Sequence, residues 1–301
     1  MTARSAILAG AVVLTLAGGG VFVPLTAVPA MAQGIQGLRG GDAPLEINAE
    51  DGIEWRRDEQ LYIARGNAVA TRNDVSVYAD VMTAHYRRTE TGTTDIDRID
   101  VVGNVRITTP TETVYGDRGA YDVRNGIVVL VGKDLRLEGK EIVITARDSL
   151  EYWETKRLAV ARGNAVAVRA DKRIAADVLS AQFAPDTDAD AGSGTGSGGS
   201  DGTRLKVSQI EAFGNVRIST PREFARGEHG VYYVEREFAT LDGAVRITRE
   251  ENQLNGEYAE IDLKSGVSRL LPAPPGTAAA TAKRVRGLLV PKRKPKTGGG
   301  S

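Results

Sequence analysis

Ile63-Ala64-Arg65-Gly66-Asn67-Ala68-Val69-Ala70 is the stretch that decides the fold, because it returns along the chain. Residues 160–168, Val-Ala-Arg-Gly-Asn-Ala-Val-Ala-Val, nearly repeat it, and Gly103-Asn104-Val105-Arg106-Ile107 and Gly214-Asn215-Val216-Arg217-Ile218 echo it. Two degenerate copies start at Gly132 and Gly243, making six, with glycine spacings of 37, 29, 31, 51 and 29 residues. A period near 30 is what stacked β-units produce, each leaning on its neighbours. A larger duplication overlies the small one. VARGNAVAV follows its first copy after 97 residues, whereas VVGNVRITTP and AFGNVRISTP lie 111 apart.

Gly-Asn supplies a tight bend, since both residues tolerate positive φ. Beyond the bend the pattern alternates. Ala68 and Ala70, Val105 and Ile107, Leu135 and Leu137, Ala165 and Ala167, Val216 and Ile218, and Val245 and Ile247 fall on one face. Arg106, Arg136, Arg217 and Arg246 stand on the other. The second strand of a unit repeats the alternation in Val75, Val77 and Ala79, and again in Ile142, Ile144 and Ala146. Period two places alternate side chains on one face of a pleated strand. No segment between 45 and 183 carries a helical stripe, so the expected fold is all-β: an elongated stack of short antiparallel strands, about six units of roughly 30 residues. Asp80, Asp117 and Asp177 fall on the polar face and read as solvated carboxylates. The apolar faces must be buried. They build a packed core, a groove for an apolar ligand, or a self-assembly surface at uncapped strand edges.

The flanks differ in composition. Residues 1–32 read as an export signal: one basic residue, Arg4, then a mostly apolar run, then Ala30-Met31-Ala32 with small residues where a signal peptidase needs them. The run is also long enough to act as a retained anchor. Residues 33–44 form a Gly-rich linker, 45–270 the β-region, 184–203 a Gly/Ser-rich loop inside it, and 271–301 a basic tail expected to be disordered. From Lys283 onward there are seven basic residues and no acidic one. Residues 33–282 hold 31 basic against 39 acidic side chains, a balance that suits no nucleic-acid partner.

Catalytic signatures are missing. There is no cysteine, and His85 and His229 sit in different units, so neither a thiolate site nor a histidine metal cluster is expected. No phosphate-binding glycine loop, dinucleotide fingerprint or nucleophile elbow occurs. The expectation is a protein without cofactor, metal or chemical step.

The run Pro44-Leu45-Glu46-Ile47-Asn48-Ala49-Glu50, the strand from Tyr62 to Ala68, the segment Val77-Tyr78-Ala79-Asp80 and Gly103-Asn104-Val105-Arg106-Ile107 come in an order and spacing that resemble the OstA-like, or LptA, family of periplasmic lipopolysaccharide-transport proteins. The resemblance covers 45–183 and extends over 205–265. It implies a twisted β-jellyroll, open along one side, whose apolar interior holds lipid A acyl chains. It also implies jellyroll partners at the inner and outer membranes, and end-to-end self-association. Carried onto this chain, the implied lipid-binding groove is lined by Val75, Val77, Ala79, Val105, Ile107, Leu135, Leu137, Ile142 and Ile144. The expected function is a periplasmic bridge carrying lipopolysaccharide between the membranes. The alternatives are an inner-membrane-anchored component of the same pathway, a structural β-repeat protein, and a polysaccharide-acting β-solenoid enzyme.

Overall fold

The computed structural model describes residues 13–14, 45–88, 94–186, 205–265, 267–277 and 284–290. The expected export signal, linker, Gly/Ser loop and end of the basic tail lie largely or wholly outside these residues. The first strands are β1 (Val13–Leu14), β2 (Glu46–Asn48), β3 (Gly52–Arg56), β4 (Leu61–Arg72), β5 (Val75–Arg88), β6 (Thr94–Thr108) and β7 (Glu112–Asp122). Four short ones follow: β8 (Ile127–Val131), β9 (Leu135–Gly139), β10 (Ile142–Ala146) and β11 (Ser149–Trp153). Then come β12 (Leu158–Arg169), β13 (Lys172–Pro185), β14 (Leu205–Ser219), β15 (Glu223–Tyr233), β16 (Phe238–Arg249) and β17 (Asn252–Asp262). β18 (Val267–Leu271) and β19 (Arg286–Leu288) end the series. No helix occurs among the described residues.

Every pairing is antiparallel, and from β4 to β17 the order in the sheet follows the order in the chain. The six repeats correspond to six hairpins: β4/β5, β6/β7, the broken pair β8-β9/β10-β11, β12/β13, β14/β15 and β16/β17. The stack of short strands expected from sequence is corrected in one respect. Most strands are long, up to 15 residues in β6 and β14, and Gly-Asn lies inside them instead of between them.

Each Gly-Asn is a bulge. Between Arg65 and Ala68 the bulged strand carries one residue more than its partner between Val81 and Ala79, and the same slip recurs at 102/105, 162/165, 213/216 and 242/245. The extra residue bends the strand. Gly66, Gly103, Gly163, Gly214 and Gly243 take φ of +73 to +84°, and Asn67, Asn104, Asn164 and Asn215 take +42 to +51°. Stacked across strands, these bends form a corner that divides the sheet into two walls. We call the half after each Gly-Asn wall A and the half before it wall B.

The corner is clasped by the carboxylates read from sequence as solvated. Asn104 Nδ2 donates to both Asp80 oxygens at 3.1 and 3.0 Å, and Asn215 Nδ2 donates to Asp177 Oδ2 at 2.8 Å. Where Gly132 has no asparagine after it, the Lys133 amide donates to Asp117 Oδ2 at 2.9 Å. A Cβ on Gly103 would lie 2.1 Å from Asp80 Oδ2, and one on Gly163 2.3 Å from Asp148 Oδ2. Glycine is therefore required at these corners both for φ and for space.

Candidate functional site

The inner faces of the two walls pack on each other as one continuous apolar cluster. All nine expected lining residues are on wall A and point into it. Val75, Val77 and Ala79 come from β5, Val105 and Ile107 from β6, Leu135 and Leu137 from β9, and Ile142 and Ile144 from β10. Eight are buried and Ile144 is partly buried against the cluster.

The opposing wall escaped the sequence reading. In β5 the inward residues are Val75, Val77 and Ala79 before the corner, then Met82, Ala84 and Tyr86 after it. The bulge shifts the alternation from odd to even numbers, so a search in one phase loses the second wall. The signal was present in Met82-Thr83-Ala84-His85-Tyr86, where large and small apolar residues occupy every second place. Leu150, Leu179, Ile210 and Tyr232 belong to the same wall.

Two small cavities lie between the walls. One, of about 50 Å³, is bounded by Leu137, Ile142, Ile144 and Ala167 on wall A and by Leu150, Ala161, Leu179 and Ile210 on wall B. The other, of about 80 Å³, lies between Ile174, Val216 and Ile218 on one side and Ile210, Tyr232, Leu241 and Ile261 on the other. Ile210 borders both. The Tyr232 hydroxyl is buried with no hydrogen-bond partner among the described residues. Burial, then the charge of Glu237, pushes its pKa up to about 12.

At the N-terminal end the interior reaches solvent. Trp55 and Ile53 of β3 are about half exposed, although they pair with the inward Tyr62 and Ala64. Trp55 stacks on Tyr62 at 5.6 Å, Tyr62 approaches Tyr86 at 4.9 Å, and Trp55 Nε1 donates to Tyr86 Oη at 2.7 Å. Among the described residues β2 and β3 pair only with β4, which leaves this edge unpartnered.

The outer faces carry the charge. On wall B, burial alone would raise the Glu151 carboxyl, but hydrogen bonds from Arg162, Ser149 and Trp153 outweigh it and hold the pKa below the usual range. His85 pairs with Asp100 at 3.0 Å and His229 with Asp242 at 3.3 Å, and the His229 ring also stacks on Phe213 at 4.6 Å. Among the described residues no group of three or more His, Asp or Glu could hold a metal ion. No helix among them is long and apolar enough to cross a membrane.

These features define an elongated two-walled β-jellyroll with an apolar interior. The sequence model of the family described as LptA/(LptD N-terminal domain) LPS transport protein matches twice, over residues 46–148 and 143–267. The chain belongs to this family and contains two tandem copies of its domain. It is thereby a periplasmic, non-enzymatic lipopolysaccharide-transport protein. An uncharacterised protein of Rhizobium meliloti (strain 1021) is 28% identical over 166 residues, covering 52% of this chain and 89% of the relative. The crystal structure of LptH, the LptA-homologous periplasmic component of the lipopolysaccharide transport device of Pseudomonas aeruginosa, has 15% identity and a TM-score of 0.39. It covers 50% of this chain and 95% of that one.

The two copies meet without a seam. The first begins at β2-β3 and the second at β10-β11, and both starts bend in the same way. The Glu50 and Asp51 amides donate to Gly66 and Arg65 carbonyls at 2.8 and 2.9 Å, and Arg147 and Asp148 repeat this with Gly163 and Arg162 at the same distances. The last strand of the first copy, β8-β9, pairs directly with β10-β11.

Proposed function

We propose that the chain is a periplasmic bridge that receives lipopolysaccharide acyl chains between its two walls and passes them along toward the outer membrane. The observation that carries this reading is the pair of apolar cavities between the walls, with Ile210 in the lining of both. Both cavities are on the scale of a few water molecules, so loading requires the walls to part. They are joined covalently only through the corner; elsewhere apolar packing holds them together, and acyl chains replace that packing in kind. Each buried methylene contributes roughly 0.8 kcal/mol, which favours handing a chain between similar sites over releasing it to water.

Partners dock at the edges in this reading. β2-β3 is built like β10-β11, and β10-β11 accepts β8-β9 along its outer side. The free edge of β2-β3 therefore suits a strand of the same shape, from a membrane-bound jellyroll component or a second copy of this chain. A photoreactive residue tests the interior. At Ile144 it should crosslink to lipopolysaccharide, and at the neighbouring outward Val143, 38% exposed, it should not. Equal labelling at both, or labelling only at 143, contradicts the proposal.

A further inference from the structure

One row of the outer face of wall A is continuous across the molecule. In register, strand to strand, it reads Tyr78, Arg106, Tyr115, Arg136, Thr145, Val166, Ala175, Arg217, Arg226, Arg246, Asn255 and Arg286. The two family copies compose it differently. In the first, tyrosines separate the arginines: Arg106 lies over Tyr78 at 4.0 Å, Arg136 lies over Tyr115 at 4.8 Å, and Arg136 is ion-paired to Glu138 at 3.0 Å. In the second, Arg226 takes the place of Tyr115 and Thr248 that of Glu138. Arg217, Arg226 and Arg246 then stand directly opposite one another on adjacent strands, about 4.8 Å apart.

Like charges placed opposite each other destabilise a sheet. Among the described residues neither Arg217 nor Arg226 has an ion pair, and the Arg246 Nε donates only to the neutral Asn255 Oδ1 at 3.1 Å. The acidic neighbour is Glu228, at the corner end of the row. A concavity of about 440 Å³ opens there, lined by Arg217, Arg226, Asn215 and Glu228 over a floor of Gly227, Gly243 and Ala244, with Arg246 outside it on the next strand. Its counterpart in the first copy has Tyr115 in the place of Arg226. Both changes in the second copy remove compensation from arginine, which is the arrangement that an anion restores.

We propose that Arg217, Arg226 and Arg246 form a phosphate-binding site on the outer face, taking the phosphate of a head group that does not enter the interior. Guanidinium groups match phosphate oxygens in pairs, and the glycine floor admits a compact anion. The site is separate from the lipid interior. The test uses the full chain, Arg226→Tyr, which restores the tyrosine spacer of the first copy, and Arg106→Gln as a control in that copy. Each is titrated with inorganic phosphate, and with vesicles of phosphatidylcholine alone or mixed with phosphatidylglycerol.

The expected result is binding by the full chain that Arg226→Tyr weakens by about tenfold or more and Arg106→Gln leaves unchanged. Phosphate should displace it more strongly than chloride at equal ionic strength. Binding of free phosphate assigns a soluble head group, and binding of phosphatidylglycerol vesicles alone assigns a membrane lipid; either supports the site. Unchanged binding by Arg226→Tyr, equal displacement by chloride, or no binding by the full chain overturns it. Lipopolysaccharide crosslinking at Ile144 in Arg226→Tyr reports on the interior independently, so failure of one proposal is not failure of the other.

Discussion

At the corner, a glycine and a carboxylate occupy one another's space. Gly103→Ala would put a methyl group 2.1 Å from Asp80 Oδ2 at a φ of +83°, so it should lower stability by more than about 1 kcal/mol, read from the urea midpoint. Asp80→Ala should cost less, because it removes only the Asn104 clasp on an exposed corner. The double variant should lose less than the sum of the two, since deleting the carboxylate makes room for the methyl. An unchanged midpoint in Gly103→Ala would show that the corner tolerates a side chain. Glu151 gives the pH dependence. Its folded pKa is depressed, so its contribution is present above the ordinary carboxylate value of about 4.3 and lost as pH falls through the lower folded value. Urea unfolding across that acid range should therefore be less pH-dependent in Glu151→Gln than in the unaltered chain.

Within a strand, the two faces differ enough to predict opposite outcomes for adjacent residues. Leu135 is 1% exposed, and Leu135→Ala should cost about 2–5 kcal/mol, whereas exposed Arg136→Ala should fall within about 0.5 kcal/mol. Equal losses at both would mean that the walls do not pack as described. Wall A could be read from the sequence because Val105-Arg106-Ile107 and Leu135-Arg136-Leu137 alternate strictly after each glycine. Wall B could not, because the residue added by each bulge moves Met82, Ala84 and Tyr86 out of phase with Val75, Val77 and Ala79. Local alternation also cannot separate a bend inside a strand from a turn between two strands. Long-range pairing decides that, as in Arg65 and Ala68 against Val81 and Ala79. The role of Asp80 was hidden for the same reason: its partner Asn104 lies on the next strand. Ile210, in the lining of both cavities, carries no motif, and only the fold reveals its position. Ile210→Ala should enlarge both cavities and increase uptake of an apolar fluorophore, and no gain in uptake would show that Ile210 does not limit the interior volume.

Across the whole molecule, two family domains share one sheet, one corner and one apolar interior, with β8-β9 against β10-β11 as the built-in junction. Under the proposed function, that continuity is what would let a greasy chain pass from copy to copy without meeting water. The proposed function also requires a movement, since cavities of about 50 and 80 Å³ would hold an acyl chain only after the walls separate. The chain has no cysteine, so paired spin labels can be placed cleanly on Lys156→Cys at the wall B rim and Ala170→Cys at the wall A rim, the two ends of β12. The label-to-label distance, measured by pulsed electron resonance with and without lipopolysaccharide, should lengthen by several ångströms when lipid is bound. An unchanged distance in protein shown to carry lipopolysaccharide would contradict acyl chains lying between the walls.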